Sequence, residues 1–205
     1  MPVAQLWRLR RICAILRPRD TVAQTIAAFG QIDFVWNHLG LSGPGKVEGM
    51  AQADLDLAFD LNLRSIMTTT EVAIPELRKR AGRALLYTSS TDGLVGSRYS
   101  PANSAMKHAV VGGKALALRL APEGIRVNTV CPGPIDTPMF VQLGSRPDQP
   151  QRSREEVEKG TLSVVPMGCL GQPQEVIEAA CFLISDAASF ITGVALPVDG
   201  GFTAQ

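Results

Sequence analysis

Residues 84–130 read ALLYTSSTDGLVGSRYSPANSAMKHAVVGGKALALRLAPEGIRVNTV, and this stretch holds a full strand, helix, strand succession. Ala84 to Thr88 is a short apolar run of strand length that empties into Ser89-Ser90 and a loop punctuated by glycine. Ser100-Pro101 then supplies an N-cap residue followed by proline at the first helical position, where the missing N–H costs nothing. A helix is expected from Pro101 to about Leu120, before Pro122 and Gly124 stop it, and Ile125 to Val130 is the next strand. Strands alternating with helices imply a parallel sheet covered on both faces.

The pattern continues in both directions. Upstream, Thr21 to Phe29 reads as a short helix closed by Gly30, and Ile32 to Trp36 as a buried strand ending in Asn37-His38-Leu39-Gly40. Gly43, Pro44 and Gly45 force a loop. Asp54 to about Arg80 keeps helical spacing through Leu57, Leu61, Ile66, Thr70, Ile74 and Leu77, so one long helix is expected, bent late by Pro75 and ended by Gly82. Downstream, residues 138–165 lack a strong period and contain a turn-rich cluster from Gly144 to Gln151, which reads as a flexible segment over a cleft. Pro173 opens another helix through Val176, Ala180 and Leu183, and Val194 to Val198 is the last strand before Asp199-Gly200-Gly201.

Composition bounds the rest. A chain of 205 residues, 45% apolar and 19% charged, fits one globular domain. Its formal net charge of +1 leaves no global field to recruit nucleic acid or an anionic membrane. The charge is uneven, because Arg8, Arg10, Arg11, Arg17 and Arg19 all precede the first acid, Asp20. Residues 1–28 therefore read as an Arg-rich leader and short helix, with Arg11 to Leu16 as a possible substitute strand, and 29–205 as the domain. The same arginines interrupt any secretory core. An organelle transit peptide is the minor alternative, weakened by the lack of serine in the leader, and a cytoplasmic location is expected. No run of about 18 apolar residues is present, so no membrane span is expected. Cys13, Cys131, Cys169 and Cys181 form no CxxC pair, and His38 and His108 are the two histidines. Metal-site spacing is missing, and free buried thiols in a reducing compartment are expected.

Taken one at a time, the polar positions are ambiguous. Asn37 and Gly40 end a strand, where such sheets bind nucleotides, or make an ordinary turn. Asn62 is a poor helix former that suits a solvated position. Ser90 suits a turn or a contact to a carbonyl oxygen, and Lys107 suits a snorkelling surface lysine.

Their order resembles one family. Phe29-Gly30-Gln31-Ile32-Asp33, the Asn37-to-Gly40 turn, Asn62, Ser89-Ser90, Lys107, Gly124-Ile125-Arg126-Val127-Asn128, Pro132-Gly133-Pro134-Ile135-Asp136-Thr137, Ile191-Thr192-Gly193 and Val198-Asp199-Gly200-Gly201 together resemble the short-chain dehydrogenases/reductases. The resemblance implies a Rossmann-like, doubly wound α/β fold and hydride transfer between NAD or NADP and an alcohol or ketone. It implies that Ser90 contacts the substrate carbonyl, that Lys107 holds the nicotinamide ribose and lowers a tyrosine pKa, and that Asn62 orders a relay water. Cofactor contacts are expected from Asn37, Gly40, Lys107, Pro132, Gly133, Ile135 and Thr137.

Two departures qualify this. The family's tyrosine belongs four residues before Lys107 and 13 after Ser90, and both counts land on Asn103. An amide does not exchange a proton near neutral pH, so the general acid/base is missing from its place. Tyr99, the nearest phenol, belongs to the loop before Ser100. The second departure is the absence, before Phe29, of the TGxxxGxG turn whose N–H groups hold a pyrophosphate. The expectation is a domain lacking the family's first strand-helix-strand unit, with an exposed sheet edge that the leader must cover. A start upstream of Met1 is the other explanation. Cofactor binding is expected to be weak and ordinary activity impaired or absent. The alternative is a non-catalytic protein that associates with itself or a complete relative through the helices carrying Asn62 and Lys107.

Overall fold

Four parallel strands, β1 (Phe34–Asn37), β2 (Arg83–Thr88), β3 (Ile125–Pro132) and β4 (Ala195–Val198), pair in the order β1-β2-β3-β4. The computed structural model describes residues 18–80, 82–144, 146 and 150–204. The substitute strand expected at Arg11 to Leu16 lies outside these residues.

Side-chain alternation builds the two layers. Leu85, Tyr87 and Val127 point to one face, against α1 (Pro18–Phe29), α3 (Ser65–Leu77), α4 (Pro101–Gly112) and α5 (Ala115–Leu120). Leu86 and Val130 point to the other, against Val176, Ala180 and Leu183 of α8 (Pro173–Ile184). Each large aliphatic side chain buried this way contributes about 1.5–3 kcal/mol. Strands buried on both faces explain why β2 and β3 read as continuous apolar runs. Val22 and Ile26 of α1 pack on the same core.

The expected helix from Asp54 to Arg80 is two helices. α2 (Gln52–Phe59) passes through a π-helical turn, Asp60–Arg64, into α3, and Pro75 sits inside α3 without ending it. The interruption lies at Asn62, whose buried amide is held by Leu41, 21 residues away, as well as donating from Nδ2 to the Ala58 carbonyl at 2.9 Å. The Pro101-to-Leu120 helix is also split. At Gly113 a Cβ would lie 2.9 Å from the Val110 carbonyl oxygen and 3.3 Å from the Tyr87 ring, so the chain turns where only glycine clears β2. Residues 138–165 are more regular than their sequence suggests. They form α6 (Pro138–Gly144) and α7 (Arg154–Leu162), the latter started by a capping box between Ser153 and Glu156.

The glycine and asparagine motifs tie the last strand in place. Asn128 donates to the Ile191 carbonyl at 2.9 Å and accepts from the Val194 N–H at 3.1 Å, while the Val127 N–H donates to Thr192 Oγ1 at 3.0 Å. Arg126 donates to the carbonyls of Leu183 and Ser185, anchoring the end of α8. Among the described residues, no helix is long and apolar enough to cross a membrane.

Candidate active site at the carboxyl edge of the sheet

All four parallel strands end on one side, and the segments leaving them gather there: Asn37 to Gly40 after β1, Ser89-Ser90 after β2, Gly133 to Thr137 after β3, and Asp199 to Gly201 after β4. This is the edge where open parallel sheets bind ligands.

Asn62, Lys107 and Gly40 meet at one point. A Cβ on Gly40 would lie 2.9 Å from Asn62 Oδ1 and 3.1 Å from Lys107 Nζ, so glycine is what leaves both groups room. Asn62 is fully buried, contrary to the solvated reading, and staples the loop to the π turn: its Nδ2 donates to the Leu41 carbonyl at 3.0 Å and its Oδ1 accepts from the Leu41 N–H at 3.2 Å. Lys107 does not snorkel either, being 9% exposed.

Ser90 begins the 3-10 turn Thr91–Gly93, and its Oγ accepts from the Asp92 N–H at 3.1 Å. Its neighbour Ser89 donates through Oγ to the Lys107 carbonyl at 2.8 Å, locking the turn to α4. Asn103 lies one helical turn before Lys107, is 5% exposed, and donates from Nδ2 to Asp92 Oδ2 at 3.0 Å. Its Oδ1 is buried without a hydrogen-bond partner. Tyr99 is not at this point: it is 57% exposed, with the Arg98 and Arg152 guanidinium groups 5.9 and 5.8 Å from its ring centre.

The cofactor-side candidates form a rim. Asn37 is buried, and its Nδ2 has no partner. Gly133 donates its N–H to the Val198 carbonyl at 2.9 Å, and a Cβ there would strike Asp199 at 2.7 Å. Pro132 closes β3 and pairs with Val198, while Ile135 bridges to Gly171. Thr137 precedes α6, and its carbonyl accepts from the Phe140 N–H. Across the rim, Thr88 Oγ1 accepts from Trp36 Nε1 at 2.8 Å and lies 3.0 Å from His38 Nδ1. Partial burial, followed by the Lys107 charge, lowers the His38 pKa.

Three neighbours of this point were not among the expected site residues. Asp92 sits in a glycine-punctuated turn, and burial pushes its carboxyl above the usual range against the pull of Asn103, Arg146, Lys107 and His108. Arg146, placed in what read as a flexible segment, is buried and donates to the Tyr99 carbonyl and Ser100 Oγ, both at 2.7 Å. Cys131 is buried in β3, which raises its thiol to about 11, whereas Cys169 and Cys181, expected to be buried, are exposed because they lie outside the sheet. The one available signal was Asp92 itself, a charged residue two positions after Ser90.

Burial brings the Lys107 ammonium down from 10.5 to about 8, opposed by Asp92 and Cys131. Above pH 8 the unfolded chain keeps a proton here that the folded chain loses, so stability rises with pH from about 8. Cys131 acts oppositely once unfolded thiols ionise near 9.0. Between pH 8 and 9 the Lys107 gain outweighs the Cys131 loss, and urea midpoints should report a net gain of roughly 0.5–1 kcal/mol across this window. Lys107→Met should flatten that rise, and an unchanged slope in the variant would assign it elsewhere.

With this geometry in hand, the chain can be set beside known proteins. A family profile described as enoyl-(acyl carrier protein) reductase matches residues 18–203. The chain belongs to the short-chain dehydrogenase/reductase family. It is 36% identical over 186 residues to the oxidoreductase UcpA of Salmonella typhimurium, covering 89% of this chain and 69% of that protein. It is 38% identical over 187 residues to a cyclopentanol dehydrogenase of a Comamonas species, covering 91% and 70%. A ligand-free aldohexose dehydrogenase of Thermoplasma acidophilum superposes with a TM-score of 0.82 at 31% identity, covering 92% of this chain and 74% of that one. As a short-chain dehydrogenase/reductase homologue it belongs to a group of oxidoreductases that generally use NAD or NADP.

Proposed function

We propose that this chain is an alcohol or ketone oxidoreductase homologue whose ordinary turnover is strongly impaired in the form given. The observation that carries this reading is Asn103, buried one turn before Lys107 with its amide donating to Asp92 where a proton-transferring phenol would sit. Relatives named for cyclopentanol and cyclohexanol support the substrate class. Ser90 would polarise the carbonyl and Asn62 would hold the loop at Leu41 and a relay water. A cytoplasmic setting suits its free thiols.

The residues present fit one end of a nicotinamide cofactor. The clearance that Gly40 leaves beside Lys107 and Asn62, the unpartnered Asn37 Nδ2, and the rim of Pro132, Gly133, Ile135 and Thr137 would hold the nicotinamide and its ribose. Hydride exchange at the alcohol carbon is the chemistry that group supplies when bound. No TGxxxGxG turn occurs in the 205 residues to receive the pyrophosphate. Contacts at one end do not replace those lost at the other, so NADH and NADPH should bind weakly. Calorimetric titration tests this, and a dissociation constant in the low micromolar range for either would overturn it.

A second reading, a non-catalytic protein that assembles with itself or with a complete relative, is favoured by one surface. Ala105, Ala109 and Gly112 are exposed along one side of α4, and Phe59 and Met67 are 40% and 42% exposed near the π turn. Small residues let helices approach closely, and large apolar ones reward burial. Light scattering at micromolar concentration should report an oligomer. A well-behaved monomer would remove self-association, and a pull-down without any related dehydrogenase would remove the mixed assembly.

A further inference from the structure

The sheet ends differently on its two sides. Ala84 donates its N–H to the Asp33 carbonyl at 3.4 Å, and Phe34 lies opposite Ala84 in the register. Successive residues of a parallel strand bond to opposite sides, so Val35 and Asn37 face β2 while the N–H and C=O groups of Phe34 and Trp36 face outward. No proline or charged side chain interrupts Phe34-Val35-Trp36-Asn37, which leaves this edge unprotected. At the other end of the sheet, Thr129 and Gly133 donate to the carbonyls of Val194 and Val198. The same alternation turns Pro197 outward, where its missing N–H blunts the β4 edge. The surroundings of β1 are open as well: Phe34 is 46% exposed, and no residue of α1 is fully buried, although Val22 and Ile26 touch the core.

We propose that residues 11–16, Arg-Ile-Cys-Ala-Ile-Leu, pair with the open edge of β1 as a further parallel strand. α1 ends at Phe29 and the chain enters β1 at Phe34, so α1 starts at the carboxyl edge of the sheet. A strand that stops one residue before Pro18 therefore runs parallel to β1. α1 packs on the face that carries α3 and α4. A strand outside β1 thus reaches it by a crossover of the same hand as β1-α3-β2 and β2-α4-β3, whereas one outside β4 would need the opposite hand. Ile12 to Leu16 is a continuous apolar run of strand length, like β2, with Arg11 and Arg17 at its ends to stay in water. Its side chains would lie against α1 on one face and beside Phe34 on the other. The outward N–H and C=O groups of Phe34 and Trp36 would gain partners.

Amide hydrogen exchange followed by NMR reads this edge directly, with no turnover or cofactor involved. In the native chain the Phe34 and Trp36 amides should be protected as well as those of Val35 and Asn37. Cys13→Pro and Ala14→Pro remove neighbouring N–H groups that point to opposite sides. One of the two should therefore speed exchange at Phe34 and Trp36 at least about tenfold while Val35 and Asn37 keep their protection. Three results would overturn the proposal: fast exchange at Phe34 and Trp36 in the native chain, protection that neither proline removes, or protection lost on dilution, which marks a second copy on the edge. Should the proline variants unfold, cross-linking in a Cys169→Ser/Cys181→Ser background gives a second reading. Mild oxidation should join Cys13 to the cysteine of Phe34→Cys or of Val35→Cys, one for each face of the strand. Yields at both positions no higher than in Ala195→Cys on β4 would equally sink it.

Discussion

Purified protein supplied with NADH or NADPH and a broad panel of ketones should reduce them at close to the background rate. Ser90 follows β2 at the edge of the sheet where Asn62 and Lys107 meet beside Gly40, and on the proposed reading it would still polarise a carbonyl. Asn103 has no proton to give near neutral pH, and loss of a positioned acid/base typically costs on the order of 10²–10⁴ in rate. Asn103→Tyr alone should restore little, because hydride-donor binding is expected to be weak as well. Grafting a TGxxxGxG strand-helix-strand unit ahead of Phe29 together with Asn103→Tyr should recover measurable NAD(P)H oxidation. Turnover of the unmodified chain at roughly 1–10³ per second would show that Asn103 is not a lost catalyst. Tyr99 would then be the next residue to substitute, although its exposure argues against it.

The second large effect is structural. At Gly93 a Cβ would stand 2.5 Å from Ser89 Oγ and 2.6 Å from the Lys107 carbonyl oxygen. The serine hydroxyl has nowhere to turn without breaking its 2.8 Å bond to that carbonyl, and the carbonyl is α4 backbone. Gly93→Ala must therefore push α4 away from the 3-10 turn, moving Asn103 and Lys107 with it. Overpacking of this kind costs about 1–3 kcal/mol. Gly96→Ala is the control, since a Cβ there meets nothing within 4 Å. Denaturant unfolding should find Gly93→Ala destabilised in that range and Gly96→Ala within about 0.5 kcal/mol of the parent. Equal midpoints for the two variants would mean that the turn and α4 are not packed as closely as described.

Much of the architecture was legible because the rules that set it are local. Apolar runs of strand length, the Ser100-Pro101 helix start and the glycine stops marked the four described strands and the helical stretches 54–80, 101–120 and the one opened by Pro173, with boundary shifts of a few residues. Where the reading failed, distant partners decided. The break at Asn62 depends on hydrogen bonds to Leu41, 21 residues away, and the break at Gly113 on the Tyr87 ring. α6 has 7 residues and α7 has 9, too few turns for a helical period to register in the sequence.

The sequence by itself determined the parallel α/β class, the family, and the identity of the side chain at position 103, since these follow from patterning and from counting between motifs. Only the tertiary structure decided what that side chain does. Asp92, Asn103, Lys107 and Arg146 share one electrostatic environment because the 3-10 turn, α4 and the segment after α6 converge at the carboxyl edge of the sheet. Burial there takes charge from Lys107 at mildly alkaline pH and leaves Asn103 Oδ1 without a partner. Desolvation and hydrogen-bond geometry depend on what surrounds a group in space, and neither is written in the order of residues along the chain.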